Sequence, residues 1–327
     1  LNEELGSRAS FASRLKRIAR TAVPFLVSAV LLAYVFDRID IRIALDYFTL
    51  EVILRFLPPL ALFSGLTLAI EAQCLHRVVA ENAADAQPLA RTTAARIKAA
   101  SYLLGILNYA LGAAGLSVLL RRRTQSSVAA AAGMVFLISL FDIGSVLLWV
   151  ATGGTLLNTA VFGLRLGLVG FLVGLIFAGF AFLRAPFSMG PLDVVRELPI
   201  FRAPRLAPPS LLIEIGLLRF LFVGCFVGLV GALFWAFETP VSGVELAFNV
   251  GVMLVVSALP VAAGGLGTGQ IVFVELFKGV APEPQLLAMS VIFSFAMILS
   301  RAAVGLLFAP EFTREALAAT REEQADG

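Results

Sequence analysis

The chain has 327 residues, of which 59% are hydrophobic and only 14% charged, and its mean hydropathy is +0.94. A soluble domain of that composition would have to show apolar surface to water, so the solvent is lipid. A net charge of +3 and a pI near 9.1 would point to nucleic acid in a soluble protein, but here the basic residues lie between apolar runs, where they orient the chain.

Apolar runs fall at 21–36, 52–70, 99–120, 128–151, 160–183, 210–236, 244–280 and 285–309. About 20 residues let an α-helix cross roughly 30 Å of hydrocarbon, whereas barrel strands alternate over about ten residues, so the spans are helical. The first run follows Arg14, Lys16, Arg17 and Arg20 and leads into the charged DRIDIR stretch without a small-residue cleavage site, so no cleavable leader is expected. After the second run, EAQCLHRVVAEN is amphipathic and reads as an interfacial helix carrying His76. The third run holds Asn108, Gly112 and Gly115, and the seventh holds SALPVAAGGLGTGQ, with Pro260, Gly264, Gly265, Gly267 and Gly269. No straight helix favours such clusters, so both runs read as interrupted.

Charge decides how the interruptions are threaded, because Lys and Arg in short loops mark the cytoplasmic side. The N-terminal basic cluster is inside, and Arg77, Arg91, Arg96 and Lys98 agree after two crossings. If 99–120 crossed fully, Arg121, Arg122 and Arg123 would lie outside, with Arg184, Arg196, Arg202 and Arg205. If it turns near Gly112 and leaves on the side it entered, all of them are cytoplasmic. The same logic, applied to Arg314 and Arg321, makes 244–280 enter and leave on the outer side. The expectation is an all-α polytopic membrane protein of six crossings plus two re-entrant hairpins from opposite faces, an inverted repeat. The alternative is eight simple spans, with the arginine triplet outside. The expected organisation is a membrane half at 1–183 with hairpin 99–120, a cytoplasmic linker at 184–209 with six prolines, a second half at 210–310 with hairpin 244–280, and a cytoplasmic tail at 311–327. Trp149 and Trp235 fall at outer span ends, where indoles favour the headgroup layer.

Ionisable groups inside spans are costly and need a partner or water, which singles out Asp142, Glu214, Arg219, Glu275 and Arg301. Arg219 offers a forked donor set for a lipid phosphate, or else forms a structural ion pair with Asp142 or Glu275. Arg301, nearer a span end, is either an interfacial anchor or a ligand. Arg121 and Arg122 are a topological signal, or a way in for an anionic headgroup. Asn108 and Tyr109 can hydrogen-bond a headgroup, or Asn108 can bond across helices. The Gly264–Gly269 cluster lets a half-helix begin near Gln270 and aim its N–H groups at a phosphate, or serves as a tight packing turn.

The two cysteines, Cys74 and Cys225, lack a Cys-x-x-Cys spacing and read as small buried residues. With His76 as the only histidine, neither a metal site nor a Ser/His/Asp constellation can be assembled. No cofactor, no nucleic-acid partner and no catalytic residue is expected.

The stretch LPVAAGGLGTGQIVFVELF at 259–277, and SYLLGILNYALGAAGLSVLLRRRTQSS followed by Asp142, are similar to motifs of the transmembrane region of the lysylphosphatidylglycerol synthase and flippase family. The resemblance covers most of the chain. It implies a lipid-translocating membrane domain of a bacterial inner membrane, without the soluble synthase domain that some members carry. Two positions depart from the pattern: Gln270 stands where the family commonly has Glu, and Leu116 follows Gly115 where it often has Gly-Glu. The expected function is a lipid flippase or transporter whose headgroup cavity lies between the hairpins. Its substrate would be an anionic or aminoacylated phospholipid, a hopanoid or a polyprenyl-phosphate lipid. The alternative is a non-transporting subunit that presents lipid to a partner glycosyltransferase or synthase; a homo-oligomer is compatible with either.

Overall fold

The computed structural model describes residues 41–82, 86–107, 109–156, 162–187, 190–258 and 267–325. The run at 21–36, Asn108, Pro260, Gly264 and Gly265 lie outside the described residues, as does the side chain of Tyr109. Among the described residues there are helices and no strand. In chain order they are α1 (Ile41–Asp46), α2 (Leu50–Glu81), α3 (Arg91–Leu107), α4 (Tyr109–Thr124), α5 (Val128–Leu156), α6 (Phe162–Arg184), α7 (Leu192–Arg196), a 3-10 turn (Pro199–Phe201), α8 (Arg202–Leu206), α9 (Pro209–Ala236), α10 (Gly243–Ala258), α11 (Thr268–Leu276) and α12 (Glu283–Ala325). Among the described residues four stretches, Leu50–Glu81, Val128–Gly153, Pro209–Ala236 and Glu283–Phe308, are long and apolar enough to cross a membrane. The chain is thus an all-α membrane protein.

The run expected at 52–70 is the front of a longer helix. Thr49 Oγ1 caps α2 by accepting the Val52 N–H at 3.2 Å, and the helix continues to Glu81. Residues 71–81 are therefore no separate interfacial helix. Leu75, Val78 and Val79 are buried because they prolong the apolar stripe that Phe56, Leu60 and Phe63 begin. His76 Nδ1 lies 2.6 Å from the Leu89 carbonyl, fixing the approach to α3.

Two pairs of short helices interrupt the long ones. The Gln87 N–H donates to the Thr124 carbonyl at 2.7 Å, so the chain leaves the α3–α4 pair where it entered. Gly112, expected at a turn, lies inside α4 and marks close approach to α3: a Cβ there would lie 2.9 Å from the Gly105 Cα. The pair is also longer than 99–120, because the basic stretch from Arg91 is helical. In the second pair, Asn249 of α10 donates to the Leu276 carbonyl at the end of α11, at 2.8 Å. Among the described residues these four helices span 17, 16, 16 and 9 residues.

Helices α2 and α9 run antiparallel down the middle, as shown by Arg55–Glu238 at one end, Phe63–Phe226 in between and Arg77–Glu214 at the other. The α3–α4 pair has its open end beside the C-terminus of α2, and the α10–α11 pair beside the C-terminus of α9, so they open at opposite ends of the bundle. The packing also has a regular order. Helix α3 packs on α2, α4 and α12; α10 packs on α9, α11 and α5. Likewise α4 packs on α5 as α11 does on α12, and α2 meets α12 as α9 meets α5. Exchanging α2, α3, α4 and α5 with α9, α10, α11 and α12 maps these packings onto each other.

Small residues allow these contacts. A Cβ on Gly153 of α5 would stand 2.6 Å from the Phe248 amide nitrogen of α10, and one on Gly251 of α10 the same distance from a Val150 methyl. Gly153→Ala is accordingly expected to lower stability by about 1–3 kcal/mol, the usual cost of overpacking, in a detergent unfolding titration. A change below a few tenths would show that the backbones do not approach this closely.

Candidate functional site

The apolar core falls into two large clusters and a small third one of Leu147, Val150 and Phe248. One cluster joins the first half of α2 and the second half of α9 to α10, α11 and α12, around Phe63, Phe226, Phe234, Phe273 and Phe277. The other joins the second half of α2 and the start of α9 to α3, α4 and α5, around Leu75, Ile97, Leu120, Leu137 and Ile215. Between them, α2 carries Ser64, Thr67 and Glu71, and α9 carries Arg219. Arg219 lies about 15 Å along its helix and Asp142 lies mid-way along α5, so the charges sit deep in the bundle.

Arg219 is only 2% exposed. Its Nε and Nη2 both reach Asp142 Oδ1, and Nη2 is 3.9 Å from Glu71 Oε1. Glu71 is held in turn by Lys98 Nζ of α3 at 2.8 Å and by the Tyr102 hydroxyl, which donates to Oε2. The guanidinium carbon lies 4.1 Å from the Phe222 ring centroid, a cation–π contact in a site closed to water. Its Nη1 is buried with no hydrogen-bond partner among the described residues. Taking charges out of water is costly, and only mutual pairing of this kind offsets the loss.

Beside this cluster lies a small cavity of about 40 Å³. Its polar wall is Ser64, Thr67, Glu71, Tyr102, Ser300 and Arg301, and its apolar wall is Phe63, Phe222, Phe226 and Val304. Ser64, Thr67 and Tyr102 spend their hydroxyl protons on the Leu60 carbonyl, the Phe63 carbonyl and Glu71, so they face the cavity as acceptors. Arg301 forms no ion pair among the described residues. Among the described residues, with Glu71 and Asp142 balanced by Lys98 and Arg219, it is one positive charge in excess.

Of the residues expected from sequence, the structure brings Asp142 and Arg219 together and sets Arg301 at the adjoining cavity. Of the two pairings open to Arg219, Asp142 is the one formed; Glu275 is exposed at the end of α11, 3.9 Å from Lys278. Glu214 lies apart, accepting from Gln73 at 3.1 Å and Arg77 at 2.7 Å, and so ties α9 to α2. Gln270 is buried, its Oε1 accepting the Gly267 N–H at 2.6 Å and its Nε2 donating to Ser294. Helix α11 therefore starts at Thr268, two residues before the expected point; Gly267 takes φ of +89° to enter it, and Gln270 is its cap. Arg121 and Arg122 are exposed at the end of α4, and Gly115 packs under Leu104. Trp149 is half-buried, stacked on the Phe220 ring, and its indole N–H donates to the Phe220 carbonyl at 3.0 Å. Trp235 is 62% exposed.

Glu71, Lys98 and Tyr102 are absent from the sequence-based set. The signal for Glu71 was present: it occupies the helical stripe Phe56, Leu60, Phe63, Thr67, Cys74 and Val78, where an acid has no reason to be unless it is paired. Among the described residues no three His, Cys, Asp or Glu side chains converge as metal ligands. Compared with known proteins, the chain matches no family model, no curated protein and no solved structure.

Proposed function

We propose that this protein moves a polar-headgroup lipid across a bacterial inner membrane, as a flippase or transporter. The observation that carries the reading is the cavity at the junction of the two apolar cores, polar and cationic on one wall and aromatic on the other. Arg301, which forms no ion pair among the described residues, supplies a positive charge and forked donors for a phosphate, and the phenylalanines fit the start of an acyl chain. The exchange pattern of the packings, with α2 and α9 antiparallel, supports an inverted repeat whose substrate site lies at the interface of its halves. In this reading 21–36, α2, α5, α6, α9 and α12 cross the bilayer, and the α3–α4 and α10–α11 pairs are re-entrant.

Charge at the two ends supports the orientation. Arg77, Arg91, Arg96, Arg121, Arg122 and Arg123 gather where the α3–α4 pair opens, while the other end carries Glu51, Glu238, Glu245, Glu275 and Glu283 against Arg55 and Lys278. In this reading the arginine end is cytoplasmic by the positive-inside rule. A 40 Å³ cavity holds little more than water, so a headgroup enters only when one half moves against the other. Substrates with this chemistry are anionic or aminoacylated phospholipids, hopanoids with polar heads, and polyprenyl-phosphate lipids.

The test is translocation of fluorescent lipids in proteoliposomes, read by reduction of outer-leaflet label, across a series of headgroups. Headgroup-dependent translocation above protein-free vesicles is expected. No translocation of any lipid by folded protein would overturn the proposal and favour a subunit that presents lipid to a partner glycosyltransferase or synthase.

A further inference from the structure

The segment joining α6 to α9 is inside out. A solvated cytoplasmic linker turns charges to water and packs its apolar groups, and the six prolines of 184–209 lead to that expectation. Here Asp193 and Arg196 turn inward, with side chains 22% and 14% exposed and 3.0 Å apart. Arg196 Nη1 also donates to the carbonyls of Ala185 and Phe187, at 2.8 and 3.2 Å. Large apolar groups turn outward instead: Phe187 is 61% exposed, Leu192 53%, Val194 71% and Leu206 60%.

The segment is also fastened along its inner side. Ala203 and Ala207 are buried, and Arg184 donates to the carbonyls of Pro204 and Ala207, at 2.8 and 2.6 Å from Nη2. Gly133 of α5 makes room for the Ile200 carbonyl, which a Cβ there would meet at 2.6 Å. Its backbone satisfies itself through short turns: the N–H groups of Glu197, Leu198, Phe201 and Ala207 all find carbonyls three or four residues back. Such a segment loses little on leaving water.

We infer that residues 185–187 and 190–207 lie in the headgroup and upper acyl layer of the leaflet at the arginine end, as a lipid-binding strap between α6 and α9. Three observations carry this: the inverted polarity, the satisfied backbone, and continuity with the apolar helices it links. Charge complements it. Arg184, Arg196, Arg202 and Arg205 exceed Asp193 and Glu197, so the lipid favoured is anionic. The inference requires only that the chain is a membrane protein, and stands whether or not lipid is moved.

The experiment is nitroxide labelling of Val194→Cys, and separately of Leu206→Cys, in a Cys74→Ala/Cys225→Ala background. The protein is reconstituted into vesicles of phosphatidylcholine and phosphatidylglycerol. Both positions are exposed, so neither label disturbs packing. Collisions with dissolved oxygen should exceed those with a water-soluble nickel chelate several-fold at both sites, and the reverse should hold for a label at the exposed Gln125. Nickel reaching residues 194 and 206 as freely as residue 125 would overturn the inference.

Discussion

Arg219→Leu is expected to lower the stability of the folded protein by about 3–5 kcal/mol, the cost of removing one partner from a buried ion pair. The reason is what remains. Asp142 would keep its place mid-way along α5 with its main partner gone, and Glu71 would lose one of its two cations. Arg219→Lys should cost less than the leucine but should not be silent, since one ammonium cannot reproduce the fork that spans both carboxylates. The decisive comparison is the double variant Arg219→Leu/Asp142→Leu. Removing both charges leaves Glu71 still held by Lys98 and Tyr102, so the double variant should be more stable than Arg219→Leu alone. Detergent unfolding titrations followed by circular dichroism would measure all three. A double variant less stable than the single one would mean that the cluster is not the coupled unit described.

How much of this could be read from the sequence follows from what each signal measures. Asp142 and Arg219 stand out because an ionisable residue inside an apolar run announces its own cost. Glu71 escaped because the hydropathy of its run fades at 70, although the helix and its buried stripe do not. Lys98 was counted with the arginines as a topological charge, and no count of loop charges reports that one of them turns inward to a carboxylate. The glycines of the third run mark contact: Gly112 lies inside α4 and lets it touch α3 at Gly105. In the linker, proline is compatible with short helical turns, since Pro199 sits at a first-turn position of the 3-10 turn, as Pro209 does at the start of α9, where a missing N–H costs nothing. The helical, membrane-spanning character was legible, because apolar runs of about 20 residues report it directly.

Arg301→Ala is expected to slow headgroup-dependent translocation by roughly ten- to a hundredfold, the effect of losing a charge-assisted contact of about 1.5–3 kcal/mol. Folding should barely change, within about 0.5 kcal/mol, because Arg301 forms no ion pair among the described residues whose loss would strand a carboxylate. That separation distinguishes Arg301 from Arg219: one is the spare charge beside the cavity, the other is consumed by its partners. It also decides between the two roles the sequence leaves open for Arg301. An interfacial anchor would act on all lipids alike and would be replaced well by lysine, which snorkels equally well. A phosphate ligand should show a larger loss for anionic than for zwitterionic headgroups, and Arg301→Lys should restore only part of the rate, since a point charge lacks the bidentate fork. Parallel translocation and unfolding measurements on wild type, Arg301→Ala and Arg301→Lys would test this. An unchanged rate in the alanine variant, or a loss that follows unfolding, would remove Arg301 from the site.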